Sequence, residues 1–391
     1  MRRNPLAVIF LTVFIDLLGF GILLPILPTY AVRMHATELA AALLSTTYSA
    51  TQLLFAPLWG RLSDRVGRRP VLLATILGSL VTYVLFGLAD AVWLLFLARA
   101  LGGVMGANIS TAQAYIADVT APEQRARGMA IIGVGFGLGF TLGPALAGVA
   151  THFGGERAPF FVAAGLSLVN LAWAWFALAE PERHGPPAGG ASRLRSLGDA
   201  LRTPTLAFWL AVFGLVTYAF ANIEATFALF LRADLSFSDQ QNAVVFTFIG
   251  LVLILVQAGG TRRLTARFGE RALVVAGTAL MAAGAGLVAF TAHGWLILVP
   301  AGLIAAGNAL SSPSLMASIS KSAPPDRQGE VLGVAQSIGA LGRIAGPAAG
   351  GLLFQRVGHT WPYLTTAGLM GIAALVVSAR RARGTGPPTG R

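Results

Sequence analysis

An all-α membrane protein, with twelve transmembrane helices in two pseudo-symmetric six-helix bundles, is the fold class this sequence predicts. Three observations predict it. Of 391 residues, 55% are hydrophobic and 11% are charged, against roughly 25% charged in soluble domains. Twelve apolar stretches approach the roughly 20 residues that a helix needs to cross a bilayer. Landmarks of the first half also return at a constant distance in the second: Gly67 and Gly269, and Trp93 and Trp295, stand 202 residues apart, and Pro144 and Pro347 stand 203 apart.

The N-terminal bundle occupies 1–180, with segments at 6–30, 39–60, 71–89, 92–117, 128–151 and 159–179. Met1-Arg2-Arg3 before an apolar run imitates a signal peptide, but the run to Tyr30 is too long and lacks a small-residue cleavage site, so it reads as the first span. A linker at 181–204, rich in Pro, Gly and Arg, divides six helices from six. The C-terminal bundle, 205–379, has segments at 205–231, 240–260, 272–292, 294–318, 330–354 and 361–379, and 380–391 reads as a disordered tail. The segments lack the alternation of barrel strands, and open sheet is excluded inside a bilayer.

Charge placement gives an orientation. Arg33, Arg157, Arg232 and Arg356 fall on one side, Arg99 and Arg343 lie inside helices, and every other Lys and Arg falls on the side of the N-terminus. The positive-inside rule then places both ends in the cytoplasm of a multi-pass protein of the cell membrane. It also accounts for the net charge of +12 without nucleic acid. Absence of cysteine excludes thiol chemistry and disulfides. The five histidines (His35, His152, His184, His293, His359) lie in loops without metal-ligand spacing, and no phosphate-binding Walker loop occurs. No nucleophile–base set points to an enzyme, and no cofactor is expected.

The repeated halves carry motifs. Gly60-Arg61-Leu62-Ser63-Asp64-Arg65-Val66-Gly67-Arg68-Arg69-Pro70 resembles the signature loop between helices 2 and 3 of the major facilitator superfamily. Arg99 with Gly102, Gly103 and Gly106 resembles its helix 4 motif, and Gly139 to Gly148, containing Gly143-Pro144, resembles the helix 5 motif of its proton-coupled exporters. With Asp16-Leu17-Leu18-Gly19-Phe20-Gly21 and Tyr115-Ile116-Ala117-Asp118, the chain is similar to the twelve-helix drug:proton antiporter branch that contains the tetracycline pumps. Thr82 precedes Tyr83 where those pumps carry an acid, and helix 9 lacks their acid; the departures bear on tetracycline itself and not on drug-type export. The resemblance implies alternating access around a central cavity, with protons and an amphipathic small molecule as partners within membrane lipid; the sequence does not give the oligomeric state, and a monomer is the expectation. A polar metabolite such as a sugar is the rival substrate. A membrane sensor or intramembrane enzyme is the remote alternative.

Candidate residues follow from depth and spacing. Among the 16 acids only Asp16 and Glu224 lie well inside spans. A charge there costs roughly 2.5–3.5 kcal/mol or more and marks function by default. Arg99 and Arg343 are the basic counterparts, each on a face of small and polar residues (Gly103, Gly106, Ser110 and Gln113; Gln336, Gly339, Gly346 and Gly350). The pairings expected are Asp16 with Arg99 and Glu224 with Arg343, and all four are candidates for proton coupling. Phe20, Asn108, Gln113, Tyr218, Phe220, Asn222 and Asn308 are candidate cavity contacts. Gly60 and Gly67 are read as a tight turn, Arg65 and Arg69 as mainly topological charges, and Asp64, Arg68 and Asp118 as a latch that the resemblance implies on the cytoplasmic side. Gly135, Gly139, Gly143, Pro144 and Gly148, with Gly346 and Pro347, form small-residue packing faces.

Overall fold

A computed structural model describes residues 5–120, 125–181, 198–200, 202–259, 261–291, 294–324 and 327–380. Most of the linker and the tail at 381–391 lie outside the described residues.

Long apolar runs without water to hydrogen-bond their backbones form helices, and the described residues contain no strand. The first half holds α1 (Pro5–Arg33), α2 (Glu38–Val66), α3 (Arg68–Leu88), α4 (Val92–Val119), α5 (Arg125–Gly154) and α6 (Ala158–Ala177). The second holds α7 (Pro204–Ala233), α8 (Asp239–Gly259), α9 (Thr261–Val288), α10 (Gly294–Ser322), α11 (Gln328–Arg356) and α12 (Trp361–Ala379). Eleven are long and apolar enough to cross a membrane. The other, α11, has 29 residues, but Gln336, Ser337, Arg343 and its glycines dilute its apolar content. Three helices are interrupted: α1 at 24–26, around Pro25, α4 at 107–108, and α9 at Gly269.

Packing repeats with the sequence. α1 packs on α5 and α6, α2 on α4, and α3 on α4 and α6; likewise α7 packs on α11 and α12, α8 on α10, and α9 on α10 and α12. The halves meet through a reciprocal pair of contacts, α2 with α11 and α5 with α8. Each half turns at one glycine: Gly67 (φ 113°) between α2 and α3, and Gly269 (φ 79°) within α9. A side chain is strained at positive φ. The turn is tighter than the motif suggests, because α2 continues through Gly60 to Val66 and α3 starts at Arg68. Gly60 is therefore a helical residue in open space, and Gly67 alone makes the turn.

Helix α5 crosses α1 closely enough that a Cβ at Gly143 would stand 2.6 Å from the Gly21 carbonyl carbon. Gly139 meets Leu17 in the same seam, and Gly346 approaches Asn222 on α7 in the equivalent one. Gly148 instead faces Ala243 across the halves, whereas Gly135 makes only ordinary contact with Leu17 and Phe14. Pro144 and the buried Pro347 lie inside α5 and α11.

The two ends of the molecule differ. Around Tyr30, Phe160, Phe230 and Tyr363, one apolar cluster draws on both halves. At the end carrying Gly67 and Gly269, two clusters form, one around Leu72, Ile116 and Leu178 and one around Val274, Ile319 and Val377, each drawing its buried residues from a single half.

Gly143→Val should separate α1 from α5 and cost about 1–3 kcal/mol, as overpacking does. Thermal unfolding in detergent is the measurement, with Gly133→Ala, where a Cβ meets open space, expected to melt like the wild type.

Candidate functional site

Three helices hold Asp16. It projects from α1, and Ser79 Oγ of α3 and Asn108 Nδ2 of α4 donate to its two oxygens at 3.3 and 3.4 Å. Asn108 sits at the break in α4, so the interruption turns a side-chain amide toward the carboxylate. The expected Asp16–Arg99 ion pair is not formed. Arg99, 4% exposed, lies instead over the Tyr48 ring at 4.9 Å and the Phe20 ring at 5.8 Å, and interacts electrostatically with Tyr48, Glu224 and Tyr83. Asp16 already has two neutral donors, and the aromatic faces occupy the guanidinium.

Glu224, on α7, feels both Arg99 of the first half and Arg343 of the second. Phe140, Phe220, Phe227, Phe246, Ile249 and Ile304 line an apolar cavity around it. Glu224 and Arg343 form no ion pair among the described residues; each lies within electrostatic reach of the other, and Arg99 is within reach of Glu224 as well. Two halves thus converge on one carboxylate.

The other cavity candidates divide. Phe20 packs against Tyr48 and Phe140, and Phe220 lines the Glu224 cavity. Tyr218 is half-buried, its backbone against Gly342. Asn222 departs from expectation: it is fully buried and donates to Pro362 O at 3.0 Å and Thr366 Oγ1 at 2.9 Å, tying α7 to α12. Asn308 accepts from Ser312 within α10 at 2.8 Å, and Gln113 is exposed.

At the Gly67 end, Arg68 bridges Asp64 (2.5 Å), Ser63 (2.7 Å) and Asp118 (3.0 Å), joining α2, α3 and α4. All three helices belong to one half. Arg65 is exposed in the last turn of α2. Arg69 does more than carry topological charge: it donates to the carbonyls of Leu178 and Trp175 at 2.8 and 2.7 Å, while Glu180 accepts from the backbone amides of Arg68 and Arg69 at 2.6 and 2.9 Å. Carboxylate at a helix start and guanidinium at a helix end both suit the helix dipole. The second half repeats the plan. Arg271 donates to Val377 O and Ser378 O at 3.1 and 2.6 Å, and Lys321 pairs with Glu270 at 2.5 Å. Glu270 stands 202 residues after Arg68 and Lys321 stands 203 after Asp118, so the equivalent pair is kept with its charges exchanged.

The opposite end is bridged between halves. Arg33 of α1 pairs with Asp239 at the start of α8 at 2.6 Å and with Glu156 at 3.1 Å. Thr29 Oγ1 donates to the same Asp239, which is 7% exposed, at 3.0 Å.

The Major Facilitator Superfamily model matches residues 9–262 and 225–391. The chain belongs to the major facilitator superfamily. Within it, the chain is 32% identical to the tetracycline resistance protein, class C, of Escherichia coli over 365 residues, covering 92% of both chains. It is 28% identical to multidrug resistance protein 2 of Bacillus subtilis (strain 168), covering 93% of this chain and 92% of that one. Among solved structures, the human organic anion transporter MFSD10 (TETRAN) is 26% identical with a TM-score of 0.72, covering 96% of this chain and 99% of its own. The nucleoside transporter NupG, 14% identical with a TM-score of 0.80 over the same shares, has the same fold.

Several of these major-facilitator site residues are silent in the sequence. Tyr48 and Ser79 are ordinary residues of apolar helices until packing places them beside Arg99 and Asp16. Asp239 looks like a helix-start acid. Its one available signal is Arg33, among the few basic residues on that side. Glu270 and Lys321 were findable from the repeat offset.

Arg68 and Asp118 form a partly exposed pair, so a double-mutant cycle with Arg68→Ala and Asp118→Ala should give a coupling of about 0.5–1 kcal/mol in thermal stability. Exchanging the charges as Arg68→Glu with Asp118→Lys, in a background with Asp64→Ala to match Ala266 of the second half, should recover most of the stability either single change loses in that background. Singles and exchange variant that melt alike would show that the pair contributes nothing.

Proposed function

We propose that this chain exports drug-like, amphipathic small molecules in exchange for protons by alternating access between its halves, 1–180 and 205–379. The observation that carries the reading is Glu224: a carboxylate of one half in a cavity lined by phenylalanines, within electrostatic reach of a guanidinium from each half. The cavity measures about 20 Å³ in this shape, so it takes a ligand only when the halves move apart; apolar walls with one ionisable group suit an amphipathic one. A group that exchanges a proton must be shielded from water and reachable from each side in turn, and the boundary between two moving halves supplies both. Relatives named for tetracycline and multidrug resistance are consistent with this cargo.

Asp16 is the second proton-carrying acid, held by neutral donors that leave it free to ionise or protonate. Arg99 and Arg343 are the counter-charges that compensate for whichever acid is ionised. Both termini, with the Asp64–Arg68–Asp118 latch, lie in the cytoplasm by the positive-inside rule. The shared apolar cluster and the Arg33–Asp239 bridge then join the halves on the outer side.

Glu224→Gln should abolish uphill transport while leaving folded protein and substrate–substrate exchange, since the amide imitates the protonated acid. Asp16→Asn should do the same. Proteoliposomes with an imposed pH gradient and tetracycline or ethidium as probes give the test. Uphill pumping by the double variant at the wild-type rate would end the antiport reading. Asp239→Asn removes the charge from the outer bridge and should raise reaction of an engineered outer-vestibule cysteine with an impermeant thiol reagent by about tenfold, a shift of roughly 1.4 kcal/mol toward the outward-open state. Unchanged labelling would show that the bridge does not hold the outer side shut.

A further inference from the structure

Arg99 is a buried cation with no committed anion. Its guanidinium is in ion-pair contact with neither acid among the described residues, and its Nε has no hydrogen-bond partner. What touches it is aromatic: Tyr48 at 4.9 Å and Phe20 at 5.8 Å, with the two rings 5.3 Å apart and inclined at 41°. The two rings pack on each other with the guanidinium against them both, and a cation on a ring face is stabilised by the quadrupole, more strongly once water is excluded.

The Tyr48 ring is itself held in place. Gln52 Nε2 donates to the Tyr48 hydroxyl at 3.4 Å and to Gly106 O at 3.0 Å, clipping α2 to α4. A methyl group at Gly106 would run into the Tyr48 hydroxyl, and one at Gly103 into the Tyr48 carbonyl and Thr51. The glycines of the helix 4 face therefore make the seat in which the ring lies. Tyr48 also lies within electrostatic reach of Asp16, Arg99 and Arg343.

We infer that Tyr48, with Phe20 packed beside it, is a positioning residue for proton coupling: its ring holds Arg99 within electrostatic reach of Glu224 without an ion pair between them. The inference rests on the proton-antiport reading and deepens it. A guanidinium locked in a bidentate pair with one carboxylate would keep that carboxylate ionised, and the proton would have to break the pair to bind. Ring faces attract the cation without a fixed donor–acceptor geometry, so Glu224 can gain or lose a proton without an ion pair having to break. The phenol hydroxyl is not required for this; the aromatic face is.

The test compares Tyr48→Phe, which keeps the face, with Tyr48→Leu, which keeps apolar bulk without it. Both are reconstituted in proteoliposomes with tetracycline and, separately, ethidium as probes. Two rates are measured: uphill transport under a pH gradient, and substrate–substrate exchange at equal pH, which needs no net proton movement. Tyr48→Phe should keep both rates within about twofold of wild type, whereas Tyr48→Leu should lose about tenfold in uphill transport alone, as expected when one buried cation–π contact is removed. A merely structural role would lower both rates together. If Tyr48→Leu folds poorly, Tyr48→Met, apolar and flexible but without a ring face, should show the same split. Equal loss of both rates, no loss in Tyr48→Leu, or Tyr48→Phe as damaged as Tyr48→Leu would each overturn the inference. Glu224→Gln is run alongside: if it pumps uphill at the wild-type rate, the antiport reading fails and this one with it, whereas a coupling-dead Glu224→Gln beside an unaffected Tyr48→Leu removes the cradle alone.

Discussion

An unpaired charge in the hydrocarbon region is costly, and the arrangement of this molecule follows from how it meets that cost at four places. Asp16, Glu224, Arg99 and Arg343 are two acids and two bases at the depth where the helices are otherwise apolar. None is neutralised by a close ion pair. Asp16 has hydroxyl and amide donors, Arg99 has ring faces, and Glu224 shares two guanidinium groups that belong to different halves. Each is tolerated and none is locked. A set of tightly paired charges would be more stable and would leave nothing for a proton to change.

The duplication supplies the frame that makes this possible. Each half turns at a positive-φ glycine, and each uses an arginine after that glycine to cap the carbonyls of its own last helix. Exchange of charges between Arg68–Asp118 and Glu270–Lys321 shows which property of the position matters. The geometry is kept and the sign is not, so these pairs fasten helices within a half. Contacts between halves are of another kind: small residues where α5 crosses α8, an apolar cluster at one end, and the Arg33–Asp239 bridge beside it. Rigid halves with one closable seam are what alternating access requires.

Much of the fold was legible because bilayer chemistry allows so few solutions. Apolar length located the helices, eleven of them long and apolar enough to cross a membrane, and the same landmarks recur at an offset of 202–203 residues. Acid depth singled out Asp16 and Glu224 as candidates for the same reason. The partners were not legible. Pairing Asp16 with Arg99 was an argument from opposite charge alone, and it failed because Ser79 and Asn108 reach the carboxylate first. Asn222 looked like a cavity residue by its polarity, yet it is a tie between α7 and α12. Tyr48 gave no signal, since an aromatic residue in a membrane helix is ordinary until a buried guanidinium is found on its face. Spacing identifies which side of a helix a residue occupies, but not which neighbour arrives there.

The proposed antiport requires that substrate binding and protonation of Glu224 and Asp16 compete. The direct measurement is proton release when tetracycline or ethidium is added to the purified protein in weakly buffered detergent solution. The wild type should release protons on binding. The double variant Asp16→Asn/Glu224→Gln should bind the same compound and release none. Release from the double variant equal to that of the wild type would contradict the account.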